Sequence, residues 1–225
     1  MIFPRAFFVS MVSTTYTYIV RINFQKQVFE LENEILKKES IKGQYEALKN
    51  ELSPHFLFNS LNALQSIIRE EPGKAGQYVS HLSQVLRYTL QGNDNQFVSL
   101  KEEMELAHSY IYLLEKRYGN NLMVEIEIPE EYRLLRILPL TLQSLIENAV
   151  KHNEISSRFP LVLKIGINDK KFLVVTNNIQ SRQSREASLG IGLSNLSQRY
   201  KILSGEDVSI SKTGQEFRVE VPLKN

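Results

Sequence analysis

Residues 52–62 of the chain read LSPHFLFNSLN, a segment with the apolar spacing of a packed helix. The apolar seam continues at 4-3-4 spacing and consists of Leu57, Leu61, Leu64 and Ile68. A break at Glu71-Pro72-Gly73 separates it from a second helix, expected from about Lys74 to Leu90. The face of that helix expected to be buried holds Tyr78, Leu82, Val85 and Thr89. Two such helices form a hairpin, and two hairpins form a four-helix bundle.

The same segment places a histidine on a helical face beside the seam. His55, Asn59 and Asn62 stand at i, i+4 and i+7, so they share that face. Neutral imidazole is nucleophilic near neutral pH and can accept a phosphoryl group, and a side-chain amide can orient the ring. From the spacing alone, a structural histidine is the simpler interpretation.

Residues 23–52 read as one long polar helix with two apolar stripes. The stripes follow 4-3 spacing with a phase break between them, which is typical of a coiled coil with a stutter. They consist of Phe24, Val28, Leu31 and Ile35, and then Ile41, Tyr45, Leu48 and Leu52. No neighbouring segment could cover them, which favours a parallel homodimer over a lone amphipathic helix. The sequence therefore predicts a coiled-coil linker over 23–52 and a dimerising hairpin over 53–92.

Residues 1–22 form an apolar and aromatic segment in which Arg21 is the one charge from Ala6 onward. The segment is shorter than the roughly 20 apolar residues that span a bilayer, so a buried or dimer-packed helix is one interpretation. The favoured interpretation is the end of a membrane-spanning helix. Two tyrosines before Arg21 and Lys26 fit an aromatic belt followed by cytoplasmic basic residues. This predicts the inner (cytoplasmic) membrane, with residues from about 23 onward in the cytoplasm.

The composition excludes some kinds of chemistry. The 225 residues contain no cysteine, so disulfides and thiolate catalysis are excluded. A net charge of +2, without a basic stripe that interleaves aromatic residues, gives no reason to expect direct binding of nucleic acid.

From residue 93 onward, helices alternate with strands, which predicts a single α/β domain over 93–225. Helices are expected at 100–117, from Pro139 to about His152, and at 193–203. Strands are expected at 124–128, 161–167, 172–175, 208–210 and 217–221.

The middle helix of this domain has a polar face that suits a metal-bound nucleotide. Residues 142–153 read LQSLIENAVKHN, with Leu142, Leu145, Ile146 and Ala149 expected to be buried. The opposite face holds Glu147, Asn148, Lys151 and His152. Mg²⁺ prefers oxygen ligands, so the Asn148 carbonyl could hold it while Lys151 neutralises phosphate charge. A solvated helix face is the alternative, and this helix alone does not exclude it.

Two glycines precede the next helix, in SLGIGLSN at residues 188–195. Gly190 and Gly192 would let the backbone approach a phosphate, and the N-terminus of a helix attracts anions. Alone this is a weak signal, because many turns contain two spaced glycines.

Taken together, the three motifs resemble those of a known family. PHFLFNSLN at 54–62, ENAVKH at 147–152 and GIGLSN at 190–195 are similar to the histidine, asparagine and glycine boxes of LytS-type sensor histidine kinases. The resemblance covers about residues 45–223. It implies an α plus α/β architecture, in which a coiled coil and a dimerising helical hairpin precede an α/β sandwich of the GHKL ATPase type.

The resemblance also implies a role for each motif residue. His55 would be the phospho-acceptor, with Asn59 and Glu147 as further catalytic residues. ATP would be bound by Asn148, which would also hold Mg²⁺, and by Lys151, His152, Gly190, Gly192, Leu193 and Asn195.

One position departs from the family pattern. Where related ATPases hold adenine with an aspartate in a D-x-G motif, this chain has Asn177 and Ile179. An asparagine can still accept a hydrogen bond from the adenine amino group, but without charge assistance. Asn177 is therefore a predicted ATP-binding residue in a weakened adenine pocket. The lid between Asn178 and Gly190 is expected to be mobile.

The function that the resemblance implies is autophosphorylation of His55 by ATP, followed by phosphoryl transfer to an aspartate of a response regulator. It implies a homodimer and a DNA-binding regulator of the LytTR type. The alternative is a signalling scaffold or phosphatase of the same fold, whose weakened adenine pocket no longer supports turnover.

Overall fold

The computed structural model describes residues 54–90, 97–180 and 191–225, together with Tyr18, Arg21, Gln25 and Lys26. Apart from those four residues, the predicted membrane segment and coiled coil lie outside the described residues, as does the lid over 181–190. Leu52–Asn225 forms one compact unit. Within the described ranges, no helix is both long and apolar enough to cross a bilayer. The domain boundaries drawn from the sequence stay predictions.

The compact unit begins with the predicted helical hairpin. Helix α1 spans Pro54–Glu70 and helix α2 spans Pro72–Leu90, with Glu71 between them. α2 begins two residues earlier than expected, because proline is well suited to the first helical position, where its missing N–H is not needed. The predicted inner face of α2 is confirmed, since the buried residues are Tyr78, Leu82, Val85 and Thr89.

The buried face of α1 differs from the apolar seam read from the sequence. Ser60 and Ile67 are buried, at 4% and 8% exposure. By contrast, Leu57, Leu61 and Ile68 are 37%, 48% and 54% exposed. Within a single chain, α1 therefore packs through a face next to the seam and leaves most of the seam uncovered.

A long helix, α3 (Leu100–Tyr118), follows the hairpin and packs against α2. Ser99 begins it with a capping box, in which the Ser99 Oγ accepts from the Glu102 backbone and the Glu102 carboxylate accepts from the Ser99 backbone. Just before α3, strand β1 (Val98–Ser99) pairs antiparallel with β3 (Arg136–Ile137), a two-residue ladder too short to be recognised by alternation.

Five strands form the main sheet, in the order β2-β4-β5-β7-β6. They are β2 (Leu122–Glu127), β4 (Leu161–Ile167), β5 (Phe172–Asn178), β6 (Ser209–Lys212) and β7 (Glu216–Pro222). β2 pairs with β4 in parallel, and the other neighbours are antiparallel. Short 3₁₀ helices at Gly119–Asn121 and Glu130–Tyr132 flank β2.

Helices α4 (Thr141–His152) and α5 (Ile191–Ser204) share a core with the sheet. Residues of β4 alternate between that core and solvent, so Leu163 and Ile165 are buried while Lys164 is exposed. α4 does not begin at Pro139 as expected, because Leu140 has left-handed backbone angles (φ 64°) and the helix starts after it. The result is the predicted α/β sandwich, a helical layer packed on a mixed sheet.

Candidate functional site

The histidine box occupies the first turns of α1. Pro54 and His55 are helical, which places Asn59 one turn after His55. Asn59 is half-buried, and its Nδ2 has no hydrogen-bond partner among the described residues. The role of Asn59 in orienting a neighbouring imidazole stays a prediction.

Phe56, next to His55, connects the histidine box to α3. Its ring centroid lies 5.4 Å from that of Tyr110, and the rings are tilted by 36°. Tyr110 is 3% exposed. Burial raises the pKa of the Tyr110 hydroxyl, and the negative charge of Glu147 raises it further. Tyr110 is therefore in contact with the histidine box and within the electrostatic influence of Glu147 in the asparagine box.

The asparagine box lies on α4 as the sequence predicted. The predicted apolar face of α4 is buried, comprising Leu142, Leu145, Ile146 and Ala149. On the other side, Glu147, Asn148 and His152 are half-buried and Lys151 is exposed. A carboxylate, an amide, a cation and an imidazole thus follow one another, in that order, within the last turns of one helix.

A buried carboxyl group holds the N-terminal end of α4. Glu103 of α3 has no exposure, and its Oε1 accepts from the Leu140 backbone N–H at 2.7 Å. Its Oε2 accepts from the Leu142 N–H at 3.0 Å. Burial raises the pKa of this carboxyl to about 7, although the N–H donors favour its charged form. The carboxyl satisfies N–H groups that a helix start leaves without intrahelical partners.

α5 is fixed to the same end of α4 by a tyrosine. Tyr200 is 1% exposed, and its hydroxyl oxygen accepts from the Leu138 N–H at 3.2 Å. The same oxygen lies 3.4 Å from the Thr141 Oγ1. Burial raises the pKa of Tyr200 to about 12. The helix that carries the glycine box is therefore anchored to the helix that carries the asparagine box.

The C-terminal end of α4 is joined to the segment that follows β5. Asn153 is buried, and its Nδ2 donates to the Ala149 carbonyl at 2.8 Å. Its Oδ1 accepts from the Gln180 N–H at 2.7 Å. The Glu154 N–H in turn donates to the Gln180 carbonyl at 2.8 Å. These bonds hold the end of the asparagine box beside the strand end that carries Asn177.

Asn177 lies on the buried side of β5, at 5% exposure. Its Nδ2 donates to the Asn178 carbonyl at 2.7 Å. The Asn178 side chain is bonded instead to residues at the start of β4. Its Oδ1 accepts from the Val162 N–H and its Nδ2 donates to the Pro160 carbonyl, each at 2.9 Å. Of the two asparagines, Asn177 is the one on the side of the sheet that faces the helices, as its predicted contact with adenine requires.

The glycine box enters the first turn of α5, and Gly190 lies outside the described residues. Gly192 and Asn195 are exposed, whereas the Leu193 side chain is buried at 8% exposure. A Cβ added to Gly192 would meet no described atom within 4 Å. No described neighbour therefore requires a glycine there, and the uncovered backbone is open to a ligand.

Comparison with known proteins agrees with these motifs. The family model of histidine kinases matches residues 43–122. Sensor histidine kinase YpdA of Escherichia coli (strain K12) is 31% identical over 207 residues, which cover 84% of this chain and 36% of YpdA. Sensor histidine kinase/phosphatase LytS of Staphylococcus aureus (strain MRSA252) is 28% identical over 219 residues, covering 87% of this chain and 36% of LytS.

The chain belongs to the LytS-type sensor histidine kinase family. It spans about a third of the length of the curated relatives it matches. Among solved structures, a histidine kinase domain from a blue-light activated histidine kinase of Erythrobacter litoralis aligns with 82% of this chain and 95% of its own, at 18% identity and a TM-score of 0.40. At that score the likeness supports no argument on fold, which rests on the sheet order and the helices themselves.

The donor set of this histidine kinase core fits ATP with a divalent ion. It offers an amide oxygen at Asn148, a cation at Lys151 and an open helix start at Gly192. Gln143, one turn before Glu147, also has a buried Oε1 without a partner among the described residues. No group of three or more His, Asp or Glu in the described ranges could hold a metal alone. Mg²⁺ does not need such a group, since it binds through few protein ligands together with substrate phosphates.

Some residues that organise the kinase core were not found from the sequence. Glu103 and Tyr110 help to position the two boxes, and neither of them belongs to a motif. Asn153 and Tyr200 do lie in segments that resemble the family, but the sequence did not show what they contact. A signal for Glu103 does exist, because it falls on the same helical stripe as Leu100, Met104 and Ala107, all buried. A carboxyl group on an apolar stripe indicates a buried polar contact.

Proposed function

We propose that this chain is the kinase core of a sensor histidine kinase, which uses ATP and Mg²⁺ to phosphorylate His55 and then passes the phosphoryl group to an aspartate of a response regulator. The observation that carries the proposal is that the helix of the histidine box and the helix of the asparagine box both pack against α3. Phe56 of the histidine box packs on the Tyr110 ring, and the charge of Glu147 acts on the Tyr110 hydroxyl. A phospho-acceptor helix and a nucleotide helix therefore pack on the same helix, α3.

In the proposed reaction, an unprotonated ring nitrogen of His55 attacks the γ-phosphorus while the bond to the bridging β-phosphate oxygen breaks and ADP leaves. Asn59 orients the imidazole by accepting, through its side-chain Oδ1, from the ring nitrogen that carries the proton. Glu147 is a half-buried carboxylate and accepts the proton that the imidazole releases.

The nucleotide is assigned to the helical side of the sheet. Asn148 holds the metal through its carbonyl oxygen, and the exposed Lys151 and the half-buried His152 contact the phosphates. Gly190, Gly192, Leu193 and Asn195 form the α5 end of the phosphate site, Leu193 through its backbone because its side chain is buried. Asn177 accepts from the adenine amino group. Bound Mg²⁺ supplies neutralisation of phosphate charge.

The proposed partners follow from the uncovered surface and from the family. Leu57, Leu61 and Ile68 leave an apolar stripe exposed on α1, which a second copy of the chain can cover to form a homodimer. The receiving regulator is proposed to be of the DNA-binding LytTR type. The proposed location is the inner (cytoplasmic) membrane, reached through residues 1–22, with the chain from about residue 23 onward in the cytoplasm. The argument for the alternative, a weak or inactive signalling scaffold or phosphatase, is Asn177 in place of the usual aspartate.

Incubation of the full chain with γ-labelled ATP tests the proposal. With Mg²⁺, the chain should gain label that acid releases and alkali does not, because phosphorus bound to imidazole nitrogen is acid-labile. Chelation of the metal should prevent the labelling. A chain that binds ATP but gains no label under these conditions would overturn the kinase assignment.

A further inference from the structure

We propose that Glu103 is a positioning residue that couples the hairpin carrying His55 to the helix carrying Asn148. The inference rests on the proposed kinase function and adds a residue outside every motif. Glu103 lies near the start of α3, 44 positions before Glu147 and 48 after His55 in the numbering of the chain. Its carboxyl group is hydrogen-bonded both to α4 and to the hairpin.

The contact on the α4 side is made with backbone rather than side chains. Oε1 accepts from the Leu140 N–H at 2.7 Å, and Oε2 accepts from the Leu142 N–H at 3.0 Å. Leu140 is the left-handed residue at which the chain turns into α4. The position of the carboxyl group therefore sets where the first turn of α4 begins.

On the hairpin side, Glu103 is hydrogen-bonded to Tyr88. The Tyr88 hydroxyl, near the end of α2, donates to the Glu103 Oε1 at 3.3 Å. The same oxygen thus accepts one hydrogen bond from the hairpin and one from the start of α4. A shift of α2 relative to α3 changes the position of the atom that holds Leu140.

A second polar contact between α2 and α3 lacks this connection to α4. The Ser109 Oγ lies 3.1 Å from the His81 Nδ1 and donates to the Gln84 Oε1 at 2.9 Å. His81 also stacks on Tyr112, with ring centroids 4.3 Å apart. These bonds hold the hairpin against α3, whereas the Glu103 carboxyl extends the contact through α3 to the nucleotide helix.

The experiment compares two tyrosines of this interface in the full chain. Tyr88→Phe removes the hydroxyl that reaches Glu103. Tyr112→Phe removes a buried hydroxyl that has no hydrogen-bond partner among the described residues, so it is a matched control. Autophosphorylation rate is measured against ATP concentration for both variants and the unaltered chain. Hydrogen exchange over the first turn of α4 is measured on the same three proteins, since it does not depend on catalysis.

Tyr88→Phe is expected to lower the maximal labelling rate about three- to tenfold, as the loss of one ordinary hydrogen bond predicts. The KM for ATP should stay unchanged, because Glu103 still holds Leu140 and Leu142. Exchange at the start of α4 should become faster. Tyr112→Phe should match the unaltered chain in all three measurements. In a Glu103→Leu background, which has no acceptor at this position, Tyr88→Phe should add no further loss of rate.

Equal behaviour of Tyr88→Phe and Tyr112→Phe in rate and exchange would overturn the coupling, as would losses that add fully in the double variant. Faster exchange limited to Tyr88→Phe in a chain that never becomes labelled would support the coupling and count against the kinase function. The two proposals therefore fail separately.

Discussion

Glu103 places an ionisable carboxyl group at a site without exposure. Burial disfavours its charged form and raises its pKa from 4.5 to about 7, while the backbone N–H groups of Leu142 and Leu140 and the Tyr88 hydroxyl act in the opposite direction. The folded-state pKa thus exceeds the value in the unfolded chain. The contribution of this group to stability is therefore fully present below about pH 4.5, and it is lost as the pH rises through about 7.

Glu103→Gln removes this titration while keeping the size of the side chain. The free energy of unfolding of the unaltered chain, minus that of the variant, should fall by roughly 3 kcal/mol as the pH rises across this window. Urea denaturation of both chains at a series of pH values measures the difference. A difference that stays constant with pH would show that this carboxyl is charged throughout.

Asn177 is the residue where the family pattern is broken, and its substitution tests the adenine contact. Asn177→Asp should tighten ATP binding several-fold, because a charge-assisted bond to the adenine amino group is stronger by about 1 kcal/mol. The variant should also be less stable, since it loses the bond from Nδ2 to the Asn178 carbonyl. Isothermal titration with ATP measures the affinity. Asn178→Asp, which alters the asparagine on the other side of the strand, is the control and should not tighten binding.

Asn148 is assigned to the metal, and its loss should separate catalysis from stability. Asn148→Ala should stop autophosphorylation, because the phosphates lose the ion that neutralises their charge. The side chain is half-buried on the polar side of α4, so the free energy of unfolding should change by less than about 1 kcal/mol. Labelling with γ-labelled ATP measures autophosphorylation, and thermal denaturation of the same preparation measures stability. If Asn148→Ala stays active, the metal is not held by Asn148.

Among the elements, α1 has an apolar stripe that a single chain does not bury. Leu61→Glu places a charge in that stripe at a residue 48% exposed, and a dimer contains the change twice. The dissociation constant of the dimer should therefore rise at least about tenfold, because apolar burial is lost. Ile202→Glu is a control at a residue of α5 that is 72% exposed and lies outside the stripe.

Light scattering distinguishes the outcomes for α1. The unaltered chain and Ile202→Glu should both give twice the 26.0 kDa chain mass. Leu61→Glu should give a lower average mass at the same concentration. Equal masses for the two variants would show that this stripe is not the dimer interface.

Elements whose signal is local were predicted well. The inner face of α2 and the bounds of β4 follow from periodicity within a few residues of sequence, and the structure confirms both. The start of α4 was wrong by two residues, because the left-handed Leu140 is held by Glu103, 37 residues away in the chain. A contact at that separation leaves no trace in a short window of sequence.

At the scale of the whole molecule, the motifs identified the candidate site but not what holds it together. Residue types within each box predicted the polar face of α4, because a helix fixes which of its own residues share a side. Two contacts depend on how the elements pack in three dimensions. They are the ring contact of Phe56 with Tyr110 and the hydrogen bond between Asn153 and Gln180. Packing partners of that kind become visible only in three dimensions.

Mapping the phosphorylated residue tests most directly whether the chain is a histidine kinase that phosphorylates His55. The full chain, His55→Gln and His81→Gln are each labelled with γ-labelled ATP and Mg²⁺ and digested, and the labelled peptide is sequenced. His81 contacts Ser109 and stacks on Tyr112, so it is a structural histidine and a suitable control. We expect acid-labile label on His55 in the unaltered chain and in His81→Gln, and no label in His55→Gln. Label that survives His55→Gln, or that maps to another residue, would show that His55 is not the phospho-acceptor.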